Sequence, residues 1–249
     1  MLRPTLLTCV SLLLSIGVAR ARQVVVIAHR GGEYPHYPSN TLLTYRRAMK
    51  LGADFIETDV RTTADGKLVI MHNGDVDATT NGHGQVRDMT LAQILRLDAG
   101  VKYGPQFKGV RVPTLNQVLR LAEGHIGVYL DCKAVAPRAL VAAIDRYHME
   151  NHVVIYGYTM TFLEGVHNLR PNLKVMPEAK TVALVDKEIQ MLHPQVFAFS
   201  AGDWKDPIIA MARRTGADIY VDRLGPADLP ASWQDAVNRG ATGIQTNHP

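Results

Sequence analysis

Two imidazoles, a guanidinium and several carboxylates sit at the ends of apolar runs in the first half of the chain. Val24 to Ala28 leads into His29-Arg30-Gly31. Phe55 to Val60 carries Glu57 and Asp59 two residues apart, and Leu68 to Met71 is closed by His72. Further on, Tyr129-Leu130-Asp131-Cys132-Lys133 ends another apolar run with an acid and a base. Together such groups can hold a cation, grip an anion and move protons, which argues for an enzyme acting on a phosphate ester.

Residues two apart on a strand point the same way, about 6.6 Å apart along it. Glu57 and Asp59 therefore share a face, as do Asp131 and Lys133, while Thr58 and Cys132 face the other way. Cys132 reads as a buried packing residue. Inward carboxylates on core strands are costly unless they are paired or bind a metal. Two readings stand side by side. Glu57, Asp59 and Asp131 satisfy Arg30, Lys133 and backbone donors, or they form an all-oxygen site for one hard divalent cation, Mg²⁺ or Ca²⁺. No Cys/His cluster at zinc spacing occurs.

The elements that must position these groups alternate along the chain. Apolar, β-branched runs lie near 24–28, 54–60, 127–132, 152–156, 173–176, 196–200, 218–222 and 242–246. Amphipathic stretches fall at 40–51, 136–148, 161–168, 181–191, 205–214 and 231–239. In the first of these, Leu42, Leu43, Ala48, Met49 and Leu51 make an apolar face against Arg46, Arg47 and Lys50, Asn40 or Ser39 offers an N-cap, and Gly52 marks the end. The run 68–72 follows the second strand too closely for a parallel crossover, and Asp65-Gly66 supplies a turn. It is expected as an antiparallel β-hairpin excursion. Eight strands then remain, and the expected fold is an α/β (β/α)₈ TIM barrel with the site at the C-terminal strand ends. An open doubly wound sheet is the alternative, but His29-Arg30-Gly31-Gly32-Glu33 is not a Gly-rich nucleotide turn.

Length and composition agree. The 249 residues, 47% hydrophobic and 20% charged, suit one barrel domain with a sizeable core. The formal charge of +4 is mild and no basic run or basic-aromatic stripe appears, so no nucleic-acid partner is expected. Residues 1–21 read as a signal peptide: Arg3, an apolar stretch from Thr5 to Val18, and Ala19-Arg20-Ala21 as cleavage site. The stretch is short for a membrane span, so no stable span is expected after cleavage, and the product is expected to be secreted or periplasmic. Cutting there leaves a catalytic domain at 22–249, lowers the charge from +4 to +2 by removing Arg3 and Arg20, and leaves Cys132 as the one cysteine. An internal disulfide is thereby excluded. The sequence sets no oligomeric state.

Taken in order, the motifs resemble the glycerophosphodiester phosphodiesterase family of phospholipase-C-like barrels. They run His29-Arg30-Gly31, Pro38-Ser39-Asn40-Thr41, Gly52-Ala53-Asp54-Phe55-Ile56-Glu57-Thr58-Asp59-Val60, Thr63-Ala64-Asp65-Gly66, Val69-Ile70-Met71-His72-Asn73, Thr79-Thr80-Asn81-Gly82-His83-Gly84, Pro113-Thr114-Leu115 and Asp131-Cys132-Lys133. The match is dense over 27–133 and returns at Gly243-Ile244-Gln245-Thr246-Asn247-His248-Pro249. The resemblance implies metal-dependent hydrolysis of small glycerophosphodiesters to glycerol 3-phosphate and an alcohol. It implies Glu57, Asp59 and Asp131 as metal ligands, Arg30 and Lys133 as phosphate-charge groups, and His29 and His72 as general acid and base.

Four residues depart from the family pattern. Ser39 replaces a Glu, Asn73 an Asp after the second His, Asp131 a Glu, and Ala78 an Arg. Glu33 could substitute for the missing Glu, and His83 is the one further histidine considered for the site. Tyr158, Glu178, Phe199, Trp204, Asp222 and Asn247 are candidate liners of the leaving-group pocket. Two other function classes stand beside hydrolysis. One is a lyase of the same superfamily, like sphingomyelinase D, forming a cyclic phosphate; its disulfide-braced loops do not suit one mature cysteine. The other is a non-catalytic phosphodiester-binding barrel.

Overall fold

The alternating runs resolve in a computed structural model that describes residues 24–32 and 36–249. Along the chain run β1 (Val25–Ala28), α1 (Leu42–Leu51), β2 (Phe55–Thr62), β3 (Leu68–Ile70), α2 (Leu91–Ile94), α3 (Leu115–Ala122), β4 (Gly127–Ala134) and α4 (Pro137–Arg146). There follow β5 (Val153–Gly157), α5 (Met160–Leu169), β6 (Lys174–Met176), α6 (Val182–Leu192), β7 (Val196–Phe199), α7 (Asp206–Arg213), β8 (Asp218–Asp222), α8 (Pro230–Asn238) and β9 (Gly243–Thr246). The expected signal segment and Glu33 lie outside the described residues.

Eight strands pair in parallel in the order β6-β5-β4-β2-β1-β9-β8-β7. The first and last strands meet, Val25 opposite Gly243 and Ala28 opposite Thr246. The remaining seam, β6 to β7, is joined by a single parallel bridge, Glu178 to Ala198, with Ala198 N donating to Pro177 O (2.9 Å) and Ala179 N to Ala198 O (2.8 Å). The fold is thus the (β/α)₈ barrel expected. Inside it Ile27, Tyr129, Val154, Tyr156, Met176 and Tyr220 fill the lumen. Outside, Ile56, Val60, Leu130, Leu140 and Ile144 pack strands onto helices with no exposed surface. Each such side chain contributes about 1.5–3 kcal/mol through burial. Cys132 packs in this layer, as its outward direction requires.

Two details differ from the sequence reading. The cap of α1 is Thr41, whose Oγ1 accepts from Thr44 N. Asn40 instead adopts a left-handed φ of 60° and turns its amide inward. Second, residues 63–114 make more than a hairpin. β3 runs antiparallel to β2, Val60 opposite Ile70. The chain then builds a satellite core from Val69, Met71, Val76, Val86, Ile94 and Val112 before α3 returns it to the barrel. His72 rides on this excursion. Among the described residues no helix is long and apolar enough to cross a membrane.

Candidate active site

The turn after β1 sets the first catalytic candidates. Arg30, Gly31 and Gly32 have φ of 51°, 92° and 82°, a left-handed run that favours glycine. A Cβ on Gly31 would also lie 2.8 Å from the Thr44 methyl, so only glycine fits there. This backbone aims Arg30 N at Glu57 Oε2 (2.8 Å). It leaves His29 in the mouth of the barrel, where Nδ1 donates to Asn247 Oδ1 (2.8 Å) at the end of β9. On the excursion, His72 Nδ1 donates to Asn73 Oδ1 (2.8 Å). Both imidazoles are therefore tied through Nδ1 to a neutral amide, and each has its Nε2 left for chemistry. Burial, then the Arg30 charge, lowers His29 to about 4. Burial also lowers His72, against support from Asp59 and Asn73.

Strands β2 and β4 carry the acids side by side, Asp59 opposite Asp131 in the ladder. Ligand atoms of Glu57, Asp59 and Asp131 all lie within 4.8 Å of one another, in the single such cluster among the described residues. Lys133 Nζ lies 2.6 Å from Asp131 Oδ2 and 3.2 Å from Asp59 Oδ1, and Arg30 Nε lies 3.5 Å from Asp59 Oδ2. Two cations thus face three carboxylates, which does not balance. Burial and the charges of Asp59 and Asp131 push Glu57 well above the carboxylate range; burial and Asp59 lift Asp131 to about 6. Asp131 Oδ1 is inaccessible and accepts no hydrogen bond. An orphaned oxygen and uncompensated repulsion in an all-oxygen cluster are what a hard cation would relieve, so the residues fit a metal ion.

Three residues to which the sequence reading gave no part in the site, Asn40, Tyr45 and Arg61, hold this arrangement. Asn40 donates to Asp59 Oδ2 (2.7 Å) and accepts from Asp59 N (3.3 Å). Its own amide oxygen lies 2.9 Å from the Tyr45 hydroxyl. Arg61, just past a register shift in β2, donates through Nε and Nη2 to His72 O (3.1 and 2.6 Å) and so pins the backbone that bears the second imidazole. The P-S-N-T motif was the signal for Asn40, and period-two spacing from Glu57 and Asp59 was the signal for Arg61.

A cleft of about 410 Å³ opens above the strand ends, lined by His29, Arg30, Asp59, His72, Asp131 and Lys133 on one side. Glu57 lies beneath it, 2% exposed. Of the candidate pocket liners, Tyr158, Glu178, Phe199 and Asp222 reach the cleft. Trp204 instead packs edge-on against Phe199 at 5.2 Å, and Asn247 serves His29. His83 is exposed beside Asp77, 3.6 Å away, on the outer loop and is not among the lining residues. Ser39, in place of the usual Glu, lies 3.2 Å from the Tyr103 hydroxyl.

Comparison with known proteins agrees with this geometry. Residues 29–249 match the model of the glycerophosphoryl diester phosphodiesterase family. A glycerophosphodiester phosphodiesterase of Caldanaerobacter subterraneus subsp. tengcongensis is 42% identical over 91% of this chain and 95% of its own length. Another, from Bacillus subtilis, is 33% identical over 91% of this chain and 84% of its own. The crystal structure of a glycerophosphodiester phosphodiesterase from Agrobacterium tumefaciens superposes with a TM-score of 0.80 at 29% identity, covering 91% of this chain and 98% of that one. With a family match running from the first imidazole to the last residue, over a barrel of the same shape, the chain belongs to the glycerophosphoryl diester phosphodiesterase family and is a phosphodiester hydrolase.

Proposed function

We propose that the protein hydrolyses small glycerophosphodiesters to glycerol 3-phosphate and an alcohol with a divalent cation, Mg²⁺ or Ca²⁺, held by Glu57, Asp59 and Asp131. The observation that carries this reading is the three-carboxylate cluster with its orphaned Asp131 oxygen, flanked by two imidazoles tied through Nδ1. When bound, a divalent cation at such a cluster polarises phosphoryl oxygens. Arg30 and Lys133 sit on the cleft face of the cluster and offset phosphate charge as it redistributes.

The two histidines divide the proton work. His29 is the more enclosed and is held unprotonated at neutral pH, so its Nε2 takes the proton of the attacking hydroxyl as general base. His72 sits at the rim, where Asp59 and the Asn73 oxygen support its charged form. The arriving phosphodiester anion favours that form further. His72 then gives its Nε2 proton to the leaving alcohol as the P–O bond breaks. Release of glycerol 3-phosphate from glycerophosphocholine, with and without EDTA, tests the reading. No release from any of several headgroup diesters by the folded protein would leave a non-catalytic binding barrel. Export is part of the proposal and rests on the pattern of residues 1–21.

Asn73→Asp weighs orientation against charge. A carboxylate partner raises imidazole basicity. A new anion about 8 Å from the phosphate costs roughly 2 kcal/mol at an effective dielectric of about 20, before salt screening. The two effects are comparable, so turnover should change by less than about tenfold, with a small rise expected. A hundredfold loss in steady-state rate would mean that the site is built around the neutral amide.

A further inference from the structure

Beyond Lys133 the cleft has a second wall with acid in excess. Its far wall, at the ends of β5 to β8, carries Glu178, Lys180 and Asp222 along with Tyr156 and Tyr158. Lys180 Nζ lies 2.8 Å from Glu178 Oε2, and the Tyr156 hydroxyl donates to the same oxygen (3.0 Å). The Lys180 charge is therefore committed to Glu178. Among the described residues Asp222 has no such cation in the cleft. It accepts from the Ala201 N–H, while its Oδ1 is inaccessible and without a donor. Arg223, next along β8, faces away: its guanidinium lies 5.3 Å from the Trp204 ring centroid and donates to the main-chain oxygen of Asp222 (3.1 Å). Burial raises the Asp222 carboxyl, and Glu178 and Asp203 add to the rise against relief from Ala201 and Arg223.

A recess of about 90 Å³ shares Tyr158, Glu178 and Lys180 with the cleft. It is lined by Glu188 of α6, 4% exposed, whose Oε2 has no hydrogen-bond partner. Two buried carboxylate oxygens thus lack donors, Asp222 Oδ1 in the cleft and Glu188 Oε2 in the recess; the two spaces share Tyr158, whose ring meets Tyr156 edge to face at 5.2 Å. Carboxylates beside aromatic faces are the chemistry that receives an ammonium group, primary or quaternary. A neutral polyol offers hydroxyl donors but no charge to set against the excess acid.

We propose that this far wall is the leaving-group subsite and that it selects alcohols bearing an ammonium group, with Asp222 and Glu178 as the specificity-determining residues. The inference rests on the hydrolase reading above. A zwitterionic diester then lies along the cleft with its phosphate at the Arg30–Lys133 end and its cation at the Asp222–Glu178 end. Charge complementarity of this kind acts on the ratio of kcat/KM values between substrates.

The test compares glycerophosphocholine and glycerophosphoethanolamine with glycerophosphoglycerol and the methyl ester of glycerol 3-phosphate. The wild type should favour the cationic pair by at least tenfold in kcat/KM. Asp222→Asn should lower that ratio at least tenfold, and Glu178→Gln should lower it in the same direction. A wild type without preference, or a ratio that neither substitution alters, overturns the proposal. Equal loss on all four diesters also overturns it, because the wall then serves the glycerol half that every substrate shares. If no diester is turned over, the hydrolase reading falls separately, and choline titration followed by tyrosine fluorescence decides the subsite. Choline binding that Asp222→Asn weakens supports it; no binding to the wild type refutes it.

Discussion

Glu57→Gln is expected to cut turnover of glycerophosphocholine by a hundredfold or more while leaving the barrel folded. The amide oxygen of Gln can still accept from Arg30 N, now 2.8 Å from Glu57 Oε2, so the β1 turn keeps its anchor. What is lost is one charge of the three that converge within 4.8 Å. A hard cation binds mainly by charge and oxygen count, so affinity and polarising power fall together. Binding can be read without catalysis, as a cation-induced rise in Tm: a ligand at about a hundred times its Kd stabilises by about 2.7 kcal/mol.

The pH dependence of that rise has a definite sign. In the metal-free protein Asp131 is held at about 6 against an ordinary 3.8. Its contribution to stability is fully present below about 4 and is lost as pH climbs through about 6. His29, at about 4 against 6.5, contributes in the opposite sense across the same window. The difference in Tm between cation-loaded and chelated protein largely cancels the histidine, and it should grow as pH rises through about 6. Wild-type activity that persists in excess chelator would sink the metal assignment.

His29→Ala and His72→Ala should each lose about 10²–10⁴-fold, the usual contribution of a general acid or base. Substitution of His83, on the outer loop, should cost far less. The two histidines separate on an activated aryl phosphodiester, whose leaving group departs without a proton. On that substrate His72→Ala should recover most of its rate and His29→Ala little, since the attacking hydroxyl still needs a base. Recovery of both to the same degree would abolish the division of labour. Recovery of His29→Ala alone would exchange the two roles.

How much of this was legible beforehand depends on whether a signal was local. The strands were legible because β-branched runs alternate with helical stretches at barrel spacing, and the shared faces of Glu57 with Asp59 and of Asp131 with Lys133 followed from period-two alternation, while their roles came from the motif resemblance. The hairpin was legible from Asp65-Gly66 and the short separation from β2. The helix α3 was readable but unread: Thr114 and Gln117 form a capping box before Leu115, Val118 and Leu119. Asn40 was misread as a cap because Asn suits both a helix start and a left-handed φ, and the choice was made by Asp59, 19 residues away. The partner of His29 was assigned to a pocket wall because nothing near Asn247 in sequence reveals a contact across 218 residues. The satellite core over 63–114 was missed because its apolar residues follow neither helical nor strand period.

That long contact also says something about biosynthesis. β1 emerges from the ribosome early, yet its inner edge stays unpaired until β9 is made, and His29 meets Asn247 only then. At about 5–20 residues per second, tens of seconds of synthesis can separate the two halves of one hydrogen bond. A nascent barrel lacking its last strand therefore carries both histidines and all three acids, but leaves one imidazole free to spin. Hydrolytic activity is therefore expected to appear only on ring closure, when Asn247 reaches His29.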